Sequence, residues 1–162
     1  VKRIVVVGGS IAALTAAQSL RAEGFDGQVT VLSEEPHQPY SRVPLSKGIL
    51  AGREPAHSAL LPVPGEDIEF RTGARAVRLD ARGRAVTLAD GTEVPYDGLV
   101  VATGARARRL TGGNDLVVRT LDDAEALASR LATARSAIVL GGGFLGMEVA
   151  STCRALGLEG PP

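Results

Sequence analysis

The sequence has one cysteine, one methionine, no tryptophan, and an aromatic content of 3%. A single thiol, Cys153, excludes an internal disulfide and any CxxC redox or metal centre, and it fits a reducing cytosol. No excess of either charge is present, since Lys+Arg and Asp+Glu both number 18. Bulk electrostatics therefore draw the chain neither to nucleic acid nor to an anionic membrane. No apolar run approaches the ~20 residues of a membrane span. The N-terminus runs directly into strand-like sequence with no cleavable signal. A cytoplasmic protein is expected, with no metal site. The chain opens on Val1 rather than methionine, which points to processing or to a partial chain. Glycine, by contrast, is abundant at 20 of 162 residues. Tight turns and small-residue packing suit an α/β protein, whose strand-to-helix turns need backbone room.

The pattern along the chain supports that class. Ile4 to Val7 is a continuous apolar run, as in a strand buried on both faces. After Gly8-Gly9-Ser10, the Ala- and Leu-rich stretch 11–23 reads as a helix stopped by Gly24. Gln28 to Leu32 is the next strand. Residues 33–64 are rich in Pro, Ser, Gly and charge, too long for a simple connection, and are expected to serve function. Short strand-like runs at 74–80, 84–88 and 93–96 are separated by Ala81-Arg82-Gly83 and Asp90-Gly91, giving an antiparallel meander. Gly98 to Ala102 returns to a buried strand, and 105–114 is an Arg- and Gly-rich linker. A helix is expected over 122–131, capped by Thr120, with Asp122 and Asp123 in its first turn. Ser136 to Leu140 reads as another buried strand, followed by Gly141-Gly142-Gly143 and a helix from Phe144 to about Leu156. The strand–turn–helix of 4–23 thus recurs at 137–156.

Each copy carries a glycine fingerprint. Gly8-Gly9-Ser10-Ile11-Ala12-Ala13 resembles G-x-G-x-x-G/A with Ser10 at the second glycine. The first glycine permits the tight turn, a small second residue admits a pyrophosphate to the backbone, and a small third residue lets helix and strand pack closely. The helix N-terminus adds partial positive charge. Strand 29–32 ends in Ser33-Glu34-Glu35, where an acid can accept hydrogen bonds from ribose hydroxyls. Gly141-Gly142-Gly143-Phe144-Leu145-Gly146 fills all three glycine positions. Two such turns with a meander between them imply two different dinucleotides.

At this point the sequence resembles a known family. Tyr40-Ser41-Arg42-Val43-Pro44-Leu45-Ser46-Lys47 is similar to the Pro-Tyr-x-Arg-Pro-Pro-Leu-Ser-Lys segment of the oxygenase-coupled, NADH-dependent ferredoxin reductases, which are related to the apoptosis-inducing-factor group. Ala102-Thr103-Gly104-Ala105-Arg106-Ala107-Arg108 is similar to their Ala-Thr-Gly-x-x-Pro-Arg. The resemblance implies a Rossmann-like FAD-binding domain with an inserted antiparallel meander, followed by the start of a second Rossmann NAD-binding domain. The expected division is 1–110, with the meander near 70–97, and 111–162. It implies an FAD-dependent NAD(P)H oxidoreductase passing electrons to an iron–sulfur ferredoxin or similar acceptor. By that resemblance Gly8, Ser10, Ile11, Ala12 and Ala13 meet the FAD pyrophosphate, and Glu34 and Glu35 the adenosine ribose. Arg42 meets phosphate, and Ala76 offers backbone to the adenine. Ala102, Thr103 and Gly104 line the FAD cleft with Arg108 nearby. Gly141, Gly143, Phe144, Leu145 and Gly146 hold NAD(H) or NADP(H). Lys47 sits near flavin N5, and Glu148 between nicotinamide and flavin.

The sequence departs from the family pattern at Ser10, Val43 and Ala107, each standing where the family has glycine or proline. After Glu159 the family continues with an apolar strand, whereas here Gly160-Pro161-Pro162 follows, so the chain is expected to be truncated. Three readings remain open: the N-terminal part of the ferredoxin-reductase enzyme, a non-catalytic nucleotide-binding fragment, or the NADH:flavin part of a nitrite-reductase-type enzyme. The residues do not choose between NAD and NADP. Cys153 is expected to be a packing residue. Lys47 and Glu148 are expected to face each other as a partly buried pair, costly to break from one side if desolvated.

Overall fold

The computed structural model describes residues 1–62, 65–110 and 115–160. Positions 111–114 of the expected linker, 63–64 of the long connection, and the final Pro161-Pro162 lie outside the described residues. Contacts divide the chain into two compact units, Val1–Tyr40 with Leu61–Ala105, and Ser41–Leu60 with Arg106–Pro162. Residues 41–60, though early in the sequence, therefore make their contacts with the C-terminal part.

In the first unit, β1 (Arg3–Val7), β2 (Gln28–Leu32), β3 (Glu69–Arg71) and β7 (Gly98–Val101) form one sheet in the order β3-β2-β1-β7. All three pairings are parallel. Helix α1 (Ile11–Ala22) makes the crossover from β1 to β2. Its small residues Ala13 and Ala17 are fully buried against Val6, Val29, Val31 and Ile68. Small side chains let helix and sheet approach, which is why this face is alanine-rich. The other sheet face meets a separate antiparallel meander of β4 (Ala76–Asp80), β5 (Ala85–Leu88) and β6 (Glu93–Pro95). Val86, Leu88, Val94 and Tyr96 of the meander pack there with Val5 and Leu32. The turn into β5 is closed by the Asp80 carboxylate, which accepts from the backbone N–H groups of Arg82 and Gly83. The expected parallel sheet with an inserted meander is thus present. β3 is an addition: its three residues are too few to show a period.

The second unit contains two turns of 3-10 helix, Val43–Ser46 and Ala56–Ala59, and the helices α2 (Leu121–Leu131) and α3 (Phe144–Ala155). Thr120 caps α2 as expected. Its side chain accepts from the Asp123 N–H, and the Asp123 carboxylate reaches back to the Thr120 N–H, satisfying two otherwise orphaned donors. Leu50, Leu127, Leu131, Cys153 and Leu158 form the core. Cys153 is therefore a packing residue, and burial pushes its thiol up from the ordinary value.

The expected buried strand at 136–140 is corrected. Among the described residues it forms a single parallel bridge, Ser136 to Glu159, and Ile138 and Leu140 are each 73% exposed. A strand needs hydrogen-bonded neighbours along its length, and only the Glu159 backbone comes alongside, accepting from Ala137 N–H at 3.2 Å and donating to the Arg135 carbonyl at 3.0 Å.

Two predictions follow from this packing. Leu50 is 1% exposed, so Leu50→Ala should destabilise the second unit by roughly 2–5 kcal/mol, read by chemical denaturation. Asp97 accepts from the Arg3 guanidinium and from the Lys2 and Arg3 backbone N–H groups, which lower its carboxyl from 3.8 to about 2. A depressed carboxyl stabilises the fold above its ordinary value, and that stabilisation is lost as pH falls through the folded value. Asp97→Asn should therefore melt earlier than wild type at neutral pH, with the difference closing between pH 3.8 and about 2.

Candidate functional site

The first fingerprint occupies the carboxyl end of β1. Gly8 has φ +126, and its N–H donates to the Leu32 carbonyl at 2.9 Å. Any Cβ on Gly8 would strike the Ala102 carbonyl oxygen, and one on Gly9 would strike the Ser33 side chain. The strand ends Val7, Leu32 and Val101 are thus drawn together as closely as backbone allows. Ser10 is the N-cap of α1 in extended conformation, and its side chain makes no capping bond. The first-turn N–H groups of Ile11, Ala12 and Ala13 are consequently left for another acceptor. Strand order reverses between β1 and β7, which is where ligands bind in open parallel sheets. Ala102 is half-buried there, and Thr103 and Gly104 are exposed.

Beyond β2, Glu34 pairs with Arg75 at 3.3 Å, and the Glu35 carboxylate accepts from the Tyr40 hydroxyl. Tyr40 is buried and meets His37 edge to face. Ala74 N–H donates to the Ser33 carbonyl at 2.7 Å and Gly73 N–H to the Glu35 carbonyl at 3.0 Å. These bonds place the start of the meander, including Ala76, beside the acidic loop.

The second fingerprint repeats the geometry. Gly141 has φ +122, and Gly143 caps α3 in extended conformation. A Cβ on Gly146 would strike the Gly141 carbonyl, so this third glycine lets the helix sit over its own turn. Even the helix ends agree. Gly24 (φ +81) and Gly157 (φ +82) stop α1 and α3 in the same way, followed by Phe25 N–H to Leu20 carbonyl and Leu158 N–H to Cys153 carbonyl. Phe144 is 93% exposed, and Leu145 and Met147 are exposed beside it.

Lys47 and Glu148 meet, with Nζ 2.8 Å from Oε2. They are 49% and 36% exposed, so the pair is partly buried and the condition of desolvation is not met. Water screens the attraction, and the large cost of breaking a buried pair does not apply. Ser46 Oγ donates to the same Oε2 at 2.6 Å. The Lys47 ammonium first, and the Ser46 hydroxyl second, hold the Glu148 carboxyl below its ordinary value. Thr152 Oγ1 donates to the Ser46 carbonyl at 2.9 Å. Ser46 and Thr152 were not among the expected site residues. Ser46 lies inside the matched segment, and Thr152 is one helical turn from Glu148, so position relative to known partners was the available signal. Arg42 donates to the Arg119 carbonyl, and Arg108 is exposed.

A profile of the pyridine nucleotide-disulphide oxidoreductases matches residues 2–160. The chain is 38% identical over 164 residues to the biphenyl dioxygenase system ferredoxin–NAD(+) reductase component of Paraburkholderia xenovorans, covering 96% of this chain and 40% of that protein. It is 41% identical over 165 residues to rhodocoxin reductase of Rhodococcus erythropolis, covering 96% and 39%. The covalent putidaredoxin reductase–putidaredoxin complex superposes with a TM-score of 0.89 at 32% identity, over 98% of this chain and 41% of that one. The chain thus spans about 40% of the length of these relatives.

The turn geometry yields a sharp contrast. Gly146→Ala drives a Cβ into the Gly141 carbonyl, whereas a Cβ at Gly142 meets nothing within 4 Å. Gly146→Ala should cost about 1–3 kcal/mol in thermal denaturation, and Gly142→Ala should stay within about 0.5 kcal/mol of wild type.

Proposed function

The chain belongs to the pyridine nucleotide-disulphide oxidoreductase family, and from that membership we propose that it is the N-terminal part of an FAD-dependent oxidoreductase that passes electrons from NADH or NADPH to a ferredoxin-type acceptor. The observation that carries the reading is the repeated turn: a positive-φ glycine at Gly8 and at Gly141, each closing a strand-like segment onto a helix with an uncapped first turn. The names of the relatives favour NADH as donor and a ferredoxin as acceptor.

The residues present fit the adenine dinucleotide half of FAD. Gly8, with no room for a Cβ against the Ala102 carbonyl, makes the tight turn that leads into α1, and the free amides of Ile11, Ala12 and Ala13 suit a doubly charged pyrophosphate. Glu34 and Glu35 accept from ribose hydroxyls, Ala76 offers backbone to adenine, and Ala102, Thr103 and Gly104 border the crevice. Arg42 and Arg108 supply guanidinium groups for phosphate. Gly141, Gly143, Phe144, Leu145 and Gly146 take the pyridine nucleotide on α3. FAD supplies a two-electron acceptor that can release electrons singly. The Lys47 ammonium stabilises negative charge arising beside it, and Glu148, kept ionised, accepts a hydrogen bond from a carboxamide N–H.

A second reading rests on the length of the relatives. A chain spanning about 40% of them can hold nucleotide without turning over. Anaerobic mixing of the flavin-loaded protein with NADH separates the two, because bleaching of the flavin band requires hydride transfer.

The binding assignment has its own test. Ala13 is fully buried, so Ala13→Leu overpacks the α1–sheet contact by about 1–3 kcal/mol and moves the first-turn amides. The purified variant should lose the visible flavin spectrum and quench no FAD fluorescence on titration. Flavin content equal to wild type would remove the assignment of Gly8–Ala13.

A further inference from the structure

We infer that Ser46 and Thr152 are positioning residues that hold the Glu148 carboxylate with one oxygen tied and the other turned to accept an N–H donor from a bound ligand. The argument starts from two buried hydroxyls, Ser46 at 2% exposure and Thr152 at 5%. A threonine inside a helix ordinarily returns its hydroxyl to the carbonyl one turn back, here that of Glu148. Thr152 instead donates to the Ser46 carbonyl, 106 positions away in sequence. Glu148 and Thr152 lie one helical turn apart on the same face of α3. Between them they grip both polar ends of Ser46: Thr152 takes its carbonyl and Glu148 takes its hydroxyl. The Thr152–Ser46 bond is buried, so losing its donor leaves an unsatisfied carbonyl there.

The consequence falls on Glu148. Both its donors, Ser46 Oγ and Lys47 Nζ, converge on Oε2, and among the described residues no hydrogen bond reaches Oε1. A carboxylate with one oxygen saturated from below and one open can accept from a neutral donor such as a primary carboxamide, without attracting a second cation. Lys47 is steered by the same device, since it follows Ser46 directly and its Nζ also donates to the Val43 carbonyl at 3.2 Å. Thr152 therefore acts through Ser46 and never touches the ligand. The identification of that ligand as a nicotinamide rests on the proposed function; the positioning does not.

The test follows the Glu148 carboxyl carbon by 13C NMR through a pH titration of the whole chain without nucleotide, its resonance assigned with Glu148→Gln. Ser46→Ala removes a donor to the carboxylate, so the midpoint of Glu148 should rise. Thr152→Val keeps shape and loses the hydroxyl, and it should raise the same midpoint; Thr152→Ser should restore the wild-type curve. A Thr152→Val curve that overlays wild type would overturn the role of Thr152. An unchanged midpoint in Ser46→Ala would overturn the whole arrangement, and that variant decides the matter if Thr152→Val does not fold. NADH titration of the wild-type chain is scored separately: failure to bind would sink the nucleotide reading of α3 and leave the carboxyl result standing.

Discussion

Everything else in this structure depends on a steric demand at the end of a strand. A parallel strand must hand its chain to a helix lying across the sheet, and it must do so within two or three residues. The only backbone path runs through positive φ, taken by Gly8 and again by Gly141. Side-chain size near the first of these turns follows from that path. Ala102 lends a carbonyl so close to Gly8 that no Cβ fits, Ala13 must be small for α1 to settle on β1, and the cap at Ser10 must leave its amides free. The chemistry read into the crevice is a by-product of this geometry. Unsatisfied amides at a helix start attract an anion whatever the rest of the chain does.

The two turns share a backbone but not a setting. Gly8 is confined twice, by its own φ and by the neighbouring strand β7. Gly141 is confined by φ alone, and its nearest constraint is the helix glycine Gly146. In the first unit β1 has two hydrogen-bonded neighbours, and its side chains are closed in. In the second, among the described residues, the equivalent segment has a single backbone bridge, to Glu159, and packs against the core through Ala137. The same local code thus produces a strand where partners surround it and an extended, exposed segment where they do not.

That contrast explains what could be read from the sequence. Apolar runs, glycine stops and the Thr120 cap are local signals, and the helices, β1, β2, the meander and β7 followed from them. β3 is three residues with one apolar member, Phe70, and its strand character comes from pairing to β2. The run 136–140 has the right composition for a strand and lacks the neighbours. At the site, the resemblance leads to a partly buried meeting of Lys47 and Glu148, whereas the amount of water that reaches the pair is decided by elements far away in sequence. For Ser46 and Thr152 the sequence offers only their position beside Lys47 and one helical turn from Glu148. A serine beside a proline turn and a threonine inside a helix are ordinary until the backbone brings one over the other.

The path of the chain has a consequence for how such a protein can be altered by recombination. The polypeptide changes unit at Tyr40–Ser41, at Leu60–Leu61 and at Ala105–Arg106. The twenty residues that bring Arg42, Ser46 and Lys47 are encoded inside the first unit, yet they complete the core of the second through Leu50. Neither unit is therefore a contiguous cassette. A crossover near residue 105 between two homologues would transplant α2 and α3 onto a foreign 41–60 segment, and the hybrid would inherit mismatched halves of one core. Change in α3 and in the early loop is constrained to occur jointly, although more than a hundred codons separate Ser46 from Thr152.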